Sequence, residues 1–275
     1  MKPIGVFDSG VGGLTVVRAI QARFPERPVV YLGDTARVPY GPKSPRTVSR
    51  FSRECGDFLA EHDIEALVVA CNTASAFGLE GLEGRYDFPV LGVLEPGARA
   101  GLERSRGGAI GVLGTVGTVR SGAYDRAITQ ISPGRTVISK PAPLLVPLAE
   151  EGLVDHPATA LLAHDYLLPL VEGGVDVVIL ACTHYPLLAP VLARILGPSI
   201  ELVDSADAVA VALGDLLLSA REPVGVEGVA TVPEPPAHTY FITDSVSRFQ
   251  EVGARFLGAP LVPVRLACIS DLGDL

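Results

Sequence analysis

No uninterrupted apolar stretch approaches the roughly 18 residues that a membrane-spanning helix needs. The longest aliphatic region, LLAHDYLLPLVEGGVDVVILAC, is broken by His164, Asp165, Glu172 and Asp176. The start, MKPIGVFDSG, carries neither the long apolar segment nor the small-residue cleavage site of a secretory signal, so the expected location is the cytoplasm. The cysteines, Cys55, Cys71, Cys182 and Cys268, form no CxxC pair, which argues against a zinc ribbon, a thioredoxin-type motif or a disulfide framework and leaves free thiols. Clustered basic residues are missing and the formal charge is −9, so direct nucleic-acid binding is not expected. Lysine is scarce: Lys2 is at the extreme terminus, and Lys43 and Lys140 lie beside prolines in loop-like stretches. None offers a persuasive Schiff-base site for pyridoxal phosphate. No ligand pair has the short spacing of a zinc site. The glycine-rich FDSGVGG, Phe7 to Gly13, has Thr15 where a GxGxxG motif needs glycine and lacks the Gly-Lys-Ser/Thr ending of a P-loop. The expected chemistry needs neither cofactor nor metal.

What is present is an alternation of short aliphatic runs with helical periods. KPIGVFDSGVGGLTVVRAIQARFP reads as strand, turn and amphipathic helix, and PVVYLGDTARVPYG as strand and loop. TVSRFSRECGDFLAEHDIEALVVACNTASA reads as a helix feeding a strand, and FPVLGVLEPGARAGL as another strand and helix start. This is the pattern of an α/β protein with mainly parallel sheets covered by helices on both faces. Such sheets place ligands beyond the C-terminal ends of their strands.

The pattern occurs twice. IGVFDSGVGGLTVVRAI, from Ile4, is echoed by IGVLGTVGTVRSGAYDRAI, from Ile110; VVACNT by ILACTH; and FPVLGVLEPGARA by PSIELVDSADAVA. Ordered echoes at nearly one spacing predict two similar α/β domains, far longer than a solenoid repeat. One spans 97–206; the other is discontinuous, 1–96 plus 207–275, because TYFITDSVSRFQEVGARFLG reads as a strand and helix that need a sheet to join. Proline-rich VPEPPAHT, Val232 to Thr239, is expected to be the loop ahead of that strand.

Two related halves facing each other place Cys71 and Cys182 at equivalent strand ends in the crevice between them. A lone strand-end cysteine reads as a small buried hydrophobe, and Cys55 and Cys268 are read as structural. Two matched thiols followed by polar residues suit a different role, proton transfer on both faces of one carbon, which inverts a stereocentre. A thiol's reference pKa of about 8.5 is readily moved by neighbours. One sulfur can therefore wait as thiolate while the other keeps its proton. His184, two residues after Cys182, suits acid–base work or polarising the thiol. Asp8, at a strand end, suits a substrate ammonium group or a thiol proton. Tyr40 and Gly41, in the polar loop GDTARVPYGPKS, offer donors to a carboxylate.

In sequence order, IGVFDSGVGGLTV, YLGDTARVPYG, VVACNTASA, GVLGTVGTVRSGAY, VPLAEEG and LACTHYPLL resemble the cofactor-independent aspartate/glutamate racemase superfamily, its glutamate-specific members most closely. The resemblance runs from residue 4 to about 208 and implies a site between two similar α/β domains. It also implies interconversion of L- and D-glutamate, which supplies D-glutamate for bacterial peptidoglycan, and a homodimer. By this resemblance Cys71 and Cys182 are the acid/base thiols, assisted by Asp8 and His184 respectively. Asp8, Ser9, Tyr40, Gly41, Asn72, Thr73, Thr183 and His184 are substrate-binding, and Thr115 and Thr118 meet the side-chain carboxylate. Asp34 and Glu150 are supporting. The sequence departs from the family at Ala142-Pro143, where a cysteine–proline pair is common, and at FITDSVSRF, where a TTGD-like turn is usual. Alternatives sharing some of these residues are an aspartate or broader-specificity racemase, a thiol redox protein and a non-catalytic interaction protein.

Overall fold

The computed structural model of the chain describes residues 1–219 and 237–269. The chain begins with β1 (Ile4–Asp8), α1 (Leu14–Arg23), β2 (Val29–Gly33), α2 (Pro45–Ala60), β3 (Ala66–Val69), α3 (Asn72–Gly78), β4 (Val90–Gly92) and α4 (Leu94–Arg104). The second half adds β5 (Ala109–Gly114), α5 (Val116–Ser121), α6 (Ala123–Ile131), β6 (Val137–Pro141), α7 (Leu145–Glu150), α8 (Pro157–Glu172) and β7 (Val175–Ala181). It continues through α9 (Ala189–Leu196) and β8 (Glu201–Asp204), and α10 (Ser205–Ser219) leads out of it. The chain then returns with β9 (Thr239–Ile242), α11 (Val246–Leu257) and β10 (Val264–Leu266).

The strands form two sheets, a six-stranded one ordered β10-β9-β2-β1-β3-β4 and a four-stranded one ordered β6-β5-β7-β8. Every pairing in both is parallel. The central strands are aliphatic throughout because both faces are covered: each residue of IGVFD in β1 and AIGVLG in β5 is buried. Within the larger sheet the order β2-β1-β3-β4 repeats the smaller sheet's β6-β5-β7-β8, so the echoed sequences correspond to topologically equivalent strands. The sequence reading had no counterpart for β2 in the second half; β6 fills that place. The proline-rich stretch lies outside the described residues from Val232 to Pro236.

Helix boundaries follow local chemistry. Ser44 caps α2 by accepting the Thr47 N–H at 3.3 Å, with Pro45 in the first turn where its missing N–H costs nothing. Thr115 caps α5 by accepting the Thr118 N–H at 3.1 Å, and Gly122 ends that helix at φ 62°, a left-handed conformation suited to glycine. The largest core runs through both halves. It joins Leu14, Val17 and Ile20 of α1, Val209 and Leu213 of α10, and Phe249 and Phe256 of α11 to Leu188 and Leu192 near β7. Separate cores cover the remaining faces: Phe7, Leu32 and Leu67 against Val48, Phe51 and Leu59 of α2, and Ile110, Val112 and Ile179 against Ala98 and Ile128. Among the described residues no helix is long and apolar enough to cross a membrane.

Candidate active site

The C-terminal ends of β1, β3, β5 and β7 converge on one small cavity, about 50 Å³, between the two sheets. Ser9, Tyr40, Gly41, Cys71, Asn72, Thr73, Thr115, Cys182, Thr183 and His184 line it. It therefore brings together most of the residues singled out in the sequence. Cys71 follows β3 and caps α3, its Sγ accepting the Ala74 N–H at 3.5 Å while the thiol faces Ser9 Oγ, also at 3.5 Å. Cys182 directly follows β7, with its Sγ 3.9 Å from His184 Nδ1. Both cysteines are nearly buried, at 6% and 5% exposure.

Their surroundings differ. Burial pushes the Cys71 thiol up to about 12, and the nearby Asp8 carboxylate adds to the rise. At the Cys182 end, His184 Nε2 donates to Glu150 Oε1 at 2.9 Å. Burial pulls the imidazole down, but its contacts with Cys182 and Glu150 outweigh that and carry it to about 10. The hydrogen bond from His184 holds the Glu150 carboxyl below its usual range despite partial burial. The Phe256 ring stands edge-on to the imidazole at 5.1 Å between centroids.

Asp8 is fully buried, and its carboxylate accepts from the Gly10 N–H at 2.9 Å and from Thr183 Oγ1 at 3.3 Å. Burial raises its pKa, against the opposing pull of the His184 charge and these donors. It thus reaches across to the loop bearing Cys182, and the side chain that touches Cys71 is Ser9. Thr73, Thr115 and Thr118 form a triangle of hydroxyls, 2.8, 3.2 and 3.0 Å apart, that joins α3 of the first half to α5 of the second.

Tyr40 lines the cavity, yet its hydroxyl donates to Asp34, so the hydroxyl expected to serve as a substrate donor is already engaged. Asp34 does not reach the cavity. It sits in a buried cluster, also accepting from Arg37 Nε at 2.7 Å and from Thr243 Oγ1 at 3.1 Å. Arg37 in turn bonds Glu54, and its guanidinium lies 4.0 Å from the centre of the Phe51 ring. Cys55, read as structural, is buried here 3.7 Å from Arg37 Nη2, and burial raises its thiol pKa. Cys268, read the same way, is exposed, two residues beyond β10.

Several residues that matter here escaped the sequence reading. A Cβ on Gly12 would lie 2.2 Å from Thr183 Oγ1 and 2.5 Å from His184 Nδ1, so glycine there is what lets the loop bearing Cys182 approach. Thr15 Oγ1 donates to the Thr183 carbonyl at 3.1 Å. Tyr124 donates to Asn72 Oδ1 at 2.8 Å, and Val146 lines the cavity. These contacts join segments far apart in the chain, and no local pattern marks them. Among the described residues no group of three or more His, Cys, Asp or Glu side chains converges in a way that could hold a metal.

The Asp/Glu/hydantoin racemase family model matches residues 14–213. Glutamate racemase of Geobacter metallireducens is 49% identical over 260 residues, 94% of each chain. The crystal structure of glutamate racemase isoform RacE1 from Bacillus anthracis superposes with a TM-score of 0.88 at 38% identity, covering 98% of each chain. That of the Francisella tularensis glutamate racemase in complex with D-glutamate does so at 0.88 and 31%, again covering 98% of each. The chain belongs to the Asp/Glu/hydantoin racemase family, within which these relatives are glutamate racemases.

Proposed function

We propose that the protein interconverts L- and D-glutamate by moving protons between Cα and two thiols, with no cofactor. The carrying observation is that Cys71 and Cys182, from equivalent strands of the two halves, line one cavity. One sulfur, as thiolate, takes the Cα proton and becomes a thiol, while the bonding pair delocalises toward the α-carboxylate. The opposite thiol then protonates the other face of Cα and is left as thiolate. Each turnover exchanges the two protonation states, and the reverse direction uses the same groups in exchanged roles. His184 stands beside Cys182, where negative charge forms on the sulfur during turnover. Burial and the nearby Asp8 carboxylate favour the protonated form of Cys71.

Asn72, Thr73, Thr115, Thr118 and Thr183, with the backbone at Ser9 and Gly41, hold the substrate by neutral donors. They orient an anion without adding a strong base that competes for the proton. In this reading Asp8 and His184 assist the thiols, Glu150 positions His184, and Asp34 holds Tyr40. The halves divide as 1–96 plus 207–275 and 97–206. The working protein is a cytoplasmic homodimer that supplies D-glutamate for peptidoglycan.

The test is solvent-deuterium incorporation at Cα during turnover of each pure enantiomer, with no added cofactor. The antipode is expected to carry deuterium while the early substrate pool stays largely unlabelled. Cys71→Ala and Cys182→Ala are each expected to lose about 10²- to 10⁴-fold in kcat. Full racemisation by either variant would falsify the two-thiol mechanism. Exchange on aspartate alone would keep the reaction and replace the substrate, since one methylene changes binding by only about 1–3 kcal/mol.

A further inference from the structure

The two ends of the Asn72 side-chain amide are treated differently. Oδ1 accepts the 2.8 Å hydrogen bond from the Tyr124 hydroxyl, whereas Nδ2 is buried and has no partner within the protein. Asn72 is only 2% exposed and lines the cavity. A buried donor left unmet is costly in a folded protein and calls for an explanation. A substrate carboxylate in the cavity supplies one, because it needs donors and offers none.

An amide presents a donor or an acceptor depending on which way it is turned. Turned the other way, Asn72 sets oxygen lone pairs against an anionic substrate. What selects the orientation comes from the other half of the molecule. Tyr124, on α6, is 1% exposed and packs with Ile110, Val112 and Ile128 in the core of the second half. Its hydroxyl emerges beside Gly97 of α4, where a Cβ would lie 2.9 Å from the oxygen. The phenol proton is directed at Asn72 Oδ1.

We infer that Tyr124 is a positioning residue: by donating to Asn72 Oδ1 it holds the amide with Nδ2 available to the substrate carboxylate. The second half thereby sets the polarity of a binding group carried by the first. This rests on the racemase reading. Tyr124 touches no reacting atom, so its removal acts through Asn72 and on substrate affinity more than on proton transfer.

The experiment is a double-mutant cycle on the full chain with wild type, Tyr124→Phe, Asn72→Ala and the double variant. KM and kcat are measured with both enantiomers of glutamate, and thermal melts are recorded alongside. Tyr124→Phe is expected to raise KM roughly fivefold to tenfold with kcat within about twofold, the scale of one hydrogen bond. In the Asn72→Ala background it is expected to raise KM no further. An unchanged KM in Tyr124→Phe, or an equal rise in both backgrounds, overturns the inference while leaving the racemase reading intact. A folded wild-type protein that leaves glutamate unchanged overturns both.

Discussion

His184 is the residue on which the two thiol environments diverge. Burial and the neighbouring Asp8 charge favour the protonated form of Cys71, while the contacts of His184 with Cys182 and Glu150 favour a cationic imidazole beside the second thiol. The contribution of this pair to stability has a definite pH window. His184 has its folded pKa near 10, above its ordinary 6.5, so its contribution is complete below 6.5 and fades as pH climbs through about 10. Glu150 lies below its ordinary 4.5, so its contribution is present above 4.5 and is lost as pH falls through the lowered value. Between 4.5 and 6.5 both are in force. Glu150→Gln removes the carboxylate charge, and the His184 pKa is expected to fall toward 6.5. The stability deficit of the variant is expected to be greatest between pH 4.5 and 6.5, to close toward pH 10, and to close again as acid protonates the wild-type Glu150. Near neutral pH kcat is expected to drop about tenfold. A His184 ring titration by NMR, with denaturant unfolding at several pH values, checks both. An unmoved titration in the variant would show that Glu150 does not hold the charge.

At the scale of elements, the sequence was informative wherever burial was two-sided. β1, β2, β5 and β7 are aliphatic because helices cover both faces, and such runs read directly as strands. β6 was not legible: VISKP is only half-buried along its length and contains lysine and proline. β10, Val264–Leu266, is largely exposed and centred on an arginine, so no aliphatic run marks it. The strand-end cysteines were legible because they interrupt aliphatic runs. Gly12 against His184 and Tyr124 against Asn72 were not, since each contact depends on how one half meets the other. Helix caps separate local from shared function. Ser44→Ala removes a cap on an exposed helix end and is expected to cost about 1 kcal/mol in stability with racemisation unchanged. Thr115→Ala removes a cap of the same kind, at similar cost, and also breaks the hydroxyl triangle with Thr73 and Thr118. Its KM for glutamate is therefore expected to rise severalfold, by about one hydrogen bond's worth, while Thr115→Ser keeps both the cap and KM. Urea unfolding and steady-state kinetics on the three variants decide this. Equal KM in Thr115→Ala and wild type would confine Thr115 to capping.

The described strands of the molecule form two sheets, yet the largest core belongs to both. α10 packs on α1 of the first half and on α4, which lies against β7 and β8 of the second. Hydrogen bonds from Thr183 to Asp8, from Tyr124 to Asn72 and within the threonine triangle cross the same boundary at the cavity. A site whose two thiols come from different halves needs their separation held closely, because misplacement by about 1 Å can cost 10²-fold in rate. A shared core supplies that rigidity where a flexible linker would not. Leu213, fully buried on α10 within this core, tests the point. Leu213→Ala is expected to destabilise by about 2–5 kcal/mol and, because the core it belongs to is shared by both halves, to lower amide protection in β1, β3, β5 and β7 together. Hydrogen exchange followed by mass spectrometry across a denaturant series reads each strand separately. If β5 and β7 keep their protection while β1 and β3 lose theirs, the halves are independent folding units, and the geometry between Cys71 and Cys182 rests on the crossing hydrogen bonds alone.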